Sequence, residues 1–296
     1  MAIARKNRTS LPLRAESILT TRKSSSTNCM PIHFSKYQAT GNDFVLVDNR
    51  TIKLKFTIEN IRKICDRRFG VGADGLILLE ESDSADFEMI YYNSDRSQSL
   101  CGNGCRSVVD FASSLGIIGS HTKFLAYDGL HEAAMLNDET IKLRMNDVRN
   151  IQRNDNNFFI DTGSPHYVEF VSDITEINVV ERGRKIRYDD TFKPGGTNVN
   201  FVALLDNNTI SVRTYERGVE DETLSCGTGV TAAALAASFY GYRSPVNVAV
   251  KGGNLSVAFQ ATSEAATAPN ADDAHSFSDI YLIGPAKMVF EGDLEL

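Results

Sequence analysis

The sequence predicts an α+β fold built from two similar lobes. From Met30 onward it reads as many short β-like runs with few helices, and two of those helices open on the same motif, Cys-Gly-x-Gly. The third observation is an internal duplication. Cys101-Gly-Asn-Gly and Cys226-Gly-Thr-Gly lie 125 residues apart; Tyr92-Asn93 and Tyr215-Glu216, each ending a strand before those motifs, lie 123 apart; Gly129 and Gly253, each preceding a strand after the helix, lie 124 apart. One spacing shared by three landmarks implies two related units facing each other about a pseudo-two-fold axis, each donating a cysteine. A period this long is not that of a solenoid.

The first thirty residues are a different material. Six basic residues (Arg5, Lys6, Arg8, Arg14, Arg22, Lys23) against Glu16 give them a net charge of +5, so of the total of −7, residues 31–296 carry −12. Such an Arg- and Ser-rich stretch reads as a disordered extension, a start placed too early with Met30 as the true beginning, or an organelle transit peptide. It is set apart from the fold. Strands are expected at Ile32–Tyr37, Phe44–Asp48, Leu76–Leu79 and Phe87–Tyr92, with β-branched or aromatic residues inside and Gly, Asn or Asp at the ends. A helix is expected to start at Thr57, as its N-cap, and to run through Ile61 and Ile64. The first cysteine helix covers Gly102–Leu115, with Cys105, Val108, Ala112 and Leu115 at three- and four-residue steps. Further strands follow at Thr140–Met145, Phe158–Asp161, Phe201–Leu205 and Ile210–Tyr215. The second cysteine helix, Gly227–Tyr240, is apolar nearly all round, which calls for enclosure by sheet. Residues 260–278, rich in Ala, Ser and Asp, predict a long mobile hairpin loop before a last strand at Ile280–Ile283.

Composition narrows the function. Hydrophobic residues make up 42% and charged residues 23%, as in an ordinary globular protein, and no apolar run reaches the length of a membrane span. The negative charge gives no support to a nucleic-acid or anionic-membrane partner. Five cysteines (Cys29, Cys65, Cys101, Cys105, Cys226) are too few and too scattered for a secreted disulfide scaffold, and no CxxC pair is present, so no structural metal is expected. A reducing, cytoplasmic compartment is the default.

Cys-Gly-x-Gly at a helix start has a definite chemistry. The first N–H groups of a helix lack intrahelical partners and carry the positive end of the dipole, and glycines let a ligand approach them. A carboxylate can sit there, and a thiol there has its pKa lowered. One copy is equally what a buried structural cysteine would show. Two copies in duplicated lobes point to one cavity, with a carboxylate held from both sides and a thiol on each face of the adjacent carbon. One thiolate could then remove an α-proton while the opposite thiol returns another, with no metal or organic cofactor. Cys105, one turn inside its helix, and Cys65, at a helix end, are expected to pack; Cys29 belongs to the extension.

The quoted segments resemble one family. Residues 34–44 (FSKYQATGNDF), 66–74 (DRRFGVGAD), Tyr92-Asn93, 100–104 (LCGNG), 163–166 (GSPH), 197–200 (TNVN), 216–218 (ERG) and 222–229 (ETLSCGTG) are similar, in sequence and order, to diaminopimelate epimerases. The resemblance runs from Ile32 nearly to the C-terminus. It implies two pseudo-symmetric lobes, each a mostly antiparallel β-sheet curled round a central helix, with the last strand returning to the first lobe: 31–148 with 284–296, and 149–283. It implies interconversion of LL- and meso-diaminopimelate in lysine and peptidoglycan-precursor synthesis, without a cofactor. Cys101 and Cys226 would be the acid–base pair, supported by His166 and Glu216. The backbone at Gly102, Asn103, Gly227 and Thr228 would grip the reacting carboxylate, and Asn42, Asn93, Asn198, Glu216 and Arg217 would read the rest of the substrate. Arg217 suits a carboxylate and Glu216 an ammonium, although an adjacent Glu-Arg pair is commonly a solvated ion pair. The sequence departs from the pattern at Arg96 (commonly Gly), Ser164 (commonly Asn) and Gly75 (commonly Gln), with the 93–101 loop one residue shorter and the 216–226 segment one longer.

Two other readings stay open on sequence alone. A racemase of the same fold acting on proline, hydroxyproline or histidine would leave Glu216 and Arg217 without a role. A redox switch would use Cys101 and Cys226 as a reversible disulfide. The partner is a small molecule in the favoured reading, and a homodimer is allowed but not indicated.

Overall fold

The computed structural model describes residues 31–95, 97–98, 101–137, 139–261 and 276–295. The expectations for residues 1–30, for Arg96 and for most of the 260–278 loop lie outside those residues.

Strand pairing makes the duplication visible. In the first lobe the strands Ile32–Ala39, Asn42–Asp48, Gly75–Glu80, Phe87–Asn93, His121–Ala126, Gly129–Asn137 and Thr140–Arg144 neighbour one another in chain order. Successive pairs are antiparallel, parallel, antiparallel, parallel, antiparallel and antiparallel. The second lobe uses Asn157–Asp161, Pro165–Phe170, Asn198–Leu204, Thr209–Glu216, Val246–Val250, Gly253–Ala261 and Phe277–Pro285, and its six pairings repeat that order. The lobes join where Thr140–Arg144 pairs antiparallel with Phe277–Pro285, Leu143 lying opposite Leu282. At the far end of the first lobe, Lys287–Leu294 returns to pair with Ile32–Ala39.

A parallel pair cannot be closed by a tight turn; it needs a crossover, usually a helix. Each of the four parallel pairs here encloses one: α1 (Ile58–Cys65), α2 (Gly102–Ser114), α3 (Val179–Arg187) and α4 (Gly227–Ala237), the last followed by a 3-10 turn at Ser238–Tyr240. α1 and α3 cover the outer faces of the sheets, while α2 and α4 fill their inner faces and share one continuous core. This layering explains the run Phe44-Val45-Leu46-Val47 and its neighbour Leu76-Ile77-Leu78-Leu79, apolar without alternation. Phe44, Leu46, Ile77 and Leu79 face the inner core while Val45, Val47, Leu76 and Leu78 face α1, as strands covered on both sides require. Every residue of α4 except Thr228 is buried, and its alanines let the sheet close around it.

The strands at His121, Pro165 and Val246 and the helix α3 are additions to the sequence reading. α3 carries charge at five of nine positions, Glu181, Arg182, Arg184, Lys185 and Arg187, which hides its narrow buried face of Val179 and Gly183.

Candidate active site

Cys101 and Cys226 are the N-caps of α2 and α4, with nearly the same extended backbone (φ −128°, ψ 108° and φ −122°, ψ 110°). Neither side chain makes a full capping hydrogen bond, although the Gly104 and Asn103 N–H groups act on the Cys101 sulfur and the Gly229 N–H on that of Cys226. The two helix starts meet. A Cβ built on Gly227 would lie 3.8 Å from the Gly102 Cα, 3.8 Å from Asn103 Oδ1 and 3.0 Å from a methyl of Leu282. Glycine at this position is therefore what permits the approach of the two tips. Asn103 spans the junction: its Nδ2 donates to Asn42 Oδ1 and to the Ser225 carbonyl of the other lobe, while its Oδ1 accepts from the buried Arg106 guanidinium at 2.8 Å. Because arginine can only donate, this bond orients the Asn103 amide. Three open surface cavities, one of about 630 Å³ beside Phe159 and Phe192, are lined by none of these residues.

Electrostatics at the sulfurs differ from the helix-tip expectation. Burial pushes the Cys101 thiol up to about 11, with Glu216 adding to the rise, while the N–H groups of Gly104 and Asn103 oppose it. Burial and Glu216 also raise Cys226 strongly, against the Thr228 hydroxyl and the Gly229 N–H. Glu216 is itself raised, by burial first and by Asp74. Desolvation thus outweighs the dipole, and three acidic groups share one interior where like charges suppress one another. Both shifts favour the neutral thiols, and a thiolate formed on one sulfur opposes a second on the other.

His166 is fully buried and its pKa is pushed down to about 3, by burial and then by Arg217, so it is neutral. It does not bond Cys226 directly. His166 Nε2 lies 2.9 Å from Thr228 Oγ1, and that hydroxyl lies 3.5 Å from Cys226 Sγ. Asn198 and Arg217 form one unit: Asn198 Oδ1 accepts from the Arg217 N–H at 2.9 Å, and Ser164 Oγ accepts from Asn198 Nδ2 at 3.0 Å and Arg217 Nη2 at 3.3 Å. Serine at 164 therefore still binds both groups. Asn42 Nδ2 donates to Asp74 at 3.0 Å, and Arg67 clamps Asp43 and Asp74. Asn93 accepts from Tyr91 and donates to Ser97. Glu216 and Arg217 make no ion pair with each other; the adjacent pair is not a solvated surface bridge. A Cβ at Gly75 would lie 2.4 Å from the Tyr91 ring, so this position offers backbone only. Cys65 and Cys105 are buried in core clusters. Among the described residues no group of three or more His, Cys, Asp or Glu is placed to hold a metal ion, and no helix is long and apolar enough to cross a membrane.

Arg106, Asp74, Asn200 and Thr214 support this constellation without having been singled out from sequence. Asn198 and Asn200 stand two apart on one strand, hence on one face, and that alternation was the available signal.

The family model described as diaminopimelate epimerase matches residues 34–151 and 158–274. Proteins of that name are similar along nearly the whole length: one from Flavobacterium psychrophilum is 48% identical, covering 86% of this chain and 97% of the relative, and one from Aquifex aeolicus is 38% identical, covering 89% and 98%. Among solved structures, a phenazine biosynthesis protein of the PhzF family from Bacillus anthracis aligns with a TM-score of 0.66 at 16% identity over 90% of this chain and 99% of that one. A hydroxyproline epimerase from Agrobacterium vitis aligns at 0.61 and 13% identity over 90% and 93%. These two share the fold.

Proposed function

This chain belongs to the diaminopimelate epimerase family and is an isomerase, and from that premise we propose that it interconverts LL- and meso-diaminopimelate by a two-cysteine, cofactor-independent proton transfer. The observation that carries the reading is the meeting of two cysteine-capped helix tips at Gly102 and Gly227. The N–H groups of Gly102, Asn103, Gly227 and Thr228 grip the reacting carboxylate. One sulfur removes the α-proton as a thiolate, the opposite thiol delivers a proton to the other face, and the developing negative charge spreads onto the gripped carboxylate. Both sulfurs exchange roles for the reverse reaction, so protons balance. Asn42, Asn93, Asn198 and Arg217 bind the distal amino-acid end, and Glu216 takes its ammonium. His166 acts on Cys226 through Thr228. The lobes are taken as 31–148 with 284–296, and 149–283, the division supported by the return of Lys287–Leu294 to Ile32–Ala39. The reaction is placed in the cytoplasm, in lysine and peptidoglycan-precursor synthesis; the four described cysteines are free thiols, which suits a reducing compartment.

Purified protein supplied with LL-diaminopimelate under reducing conditions is expected to produce the meso isomer. Cys101→Ser and Cys226→Ser are each expected to lower kcat by about 100-fold or more, the scale of a lost acid–base group. Absence of meso product rejects the substrate; full turnover in either serine variant rejects the two-thiol mechanism and favours a redox role for the pair.

A further inference from the structure

The two cysteines occupy equivalent places in the duplicated fold, yet the residues behind them are not equivalent. In the first lobe Phe44 lies opposite Gly75 and Gly75 opposite Asn93, with Ile77 opposite Tyr91 one step on. In the second lobe His166 lies opposite Asn198 and Asn200 opposite Thr214. The repeat therefore matches Phe44 with His166, Ile77 with Asn200 and Tyr91 with Thr214. The cysteine helices agree independently: a Cβ on Gly104 would meet Ile77 at 3.2 Å, and one on Gly229 would meet Asn200 Oδ1 at 2.3 Å. Behind Cys101 stands an apolar and aromatic wall, Phe44 and Tyr91 packed edge to face. Behind Cys226 stands a buried hydrogen-bonded chain.

The direction of that chain follows from groups that can only donate or only accept. Asn200 contacts the Tyr167 carbonyl through Nδ2 at 3.1 Å, which requires an N–H there, and its Oδ1 accepts from the Thr214 hydroxyl at 2.9 Å. The amide is thus fixed, and Nδ2 also faces His166 Nδ1 at 3.0 Å. His166 Nδ1 must then be the bare nitrogen and Nε2 the protonated one. Nε2–H donates to Thr228 Oγ1, leaving the Thr228 hydroxyl proton for Cys226 Sγ. Thr162 holds the Thr228 carbonyl at 3.0 Å and keeps the residue in place. At the equivalent position of the first lobe, Asn103 commits its N–H groups to Asn42 and Ser225.

We propose that Asn200 is a positioning residue that locks His166 in its Nε2–H tautomer, so that Cys226 alone receives a side-chain hydroxyl donor when it becomes a thiolate. The two thiols are therefore chemically distinct despite the symmetry of the fold. The charged or titratable groups acting on the chain are Glu216 and Cys101 toward Cys226 and Arg217 toward His166. The inference rests on the proposed proton-transfer role of Cys226 for its meaning, but not for its test.

That test is nitrogen-15 NMR of the histidine side chains in the full-length protein at neutral pH. Wild type is expected to show His166 neutral with the proton on Nε2; a proton on Nδ1, or on both nitrogens, overturns the proposal. Asn200→Asp, which cannot donate, is expected to move the proton to Nδ1. Asn200→Leu, which copies the apolar character of Ile77, is expected to give a mixture of tautomers and serves if the aspartate variant does not fold. Iodoacetamide labelling, read by peptide mass at one fixed pH, is expected to slow about ten-fold at Cys226 in either variant, the effect of about one pKa unit, with Cys101 unchanged. Equal slowing at both cysteines, or none, contradicts the assignment. Neither readout needs turnover, so an absence of epimerisation leaves it standing and counts only against the proposed reaction.

Discussion

His166 is the residue whose burial has the clearest consequence outside catalysis. Folding takes its imidazole from an ordinary value of 6.5 to about 3. Between those values the unfolded chain binds a proton that the native chain does not, so ν for the unfolded state exceeds that of the native state and stability rises with pH. The contribution is complete above about 6.5 and is lost as pH falls through that window, at up to about 1.4 kcal/mol per pH unit. Urea unfolding of wild type and His166→Gln between pH 7 and pH 4 checks this. Wild type should lose more stability on acidification by the slope of one proton, and identical slopes would show that His166 is not buried as a neutral ring. Arg106 is a companion case: fully buried, lowered by desolvation to about 10, and bonded to Asn103, Thr40 and the Pro285 carbonyl without a carboxylate beside it. Its charge lies near the sulfur of Cys101 and lowers that thiol.

At the scale of elements, the helix α4 sits against its sheet with no room to spare. Asn200 is held at Tyr167, His166 and Thr214 and cannot swing away, so a methyl at Gly229, 2.3 Å from Asn200 Oδ1, forces helix and strand apart. Gly229→Ala is expected to destabilise the fold by about 1–3 kcal/mol, the usual cost of overpacking, and to lower kcat more than it raises KM. Thermal unfolding with steady-state kinetics measures both; an unchanged melting temperature would show that the contact is slack. The same tightness governs what was legible in advance. Cysteine helices announced themselves by Cys-Gly-x-Gly and alanine content, and Phe44–Val47 by an apolar run. His121–Ala126 and α3 did not, because their buried faces are narrow and their exposed residues charged. The site residues carried by motifs were visible. Asn200 and Thr214 are harder to read: alternation with Asn198 puts Asn200 on a shared face, but the bond that gives both residues their role runs between strands. The expected drop in thiol pKa failed for a related reason: the depth of burial that raises both sulfurs is a tertiary property.

The whole molecule is a duplicated unit folded so that its two final strands pair and its two inner helices touch at their tips. Symmetry brings matched backbone to both sides of one point, while the difference between Phe44, Ile77, Tyr91 and His166, Asn200, Thr214 gives the sides unlike surroundings. Inversion of a stereocentre needs that combination: equal reach to both faces of a carbon, and unequal protonation of the groups that reach it. Deuterium labelling in the first turnovers examines this claim most directly. LL-diaminopimelate converted in heavy water should yield meso product carrying deuterium at the inverted α-carbon, while the unconverted substrate recovered at the same early time still carries protium. Product that retains the original proton, or deuterium in recovered substrate at the rate of product formation, would mean that one group serves both faces and would contradict the opposed-thiol account.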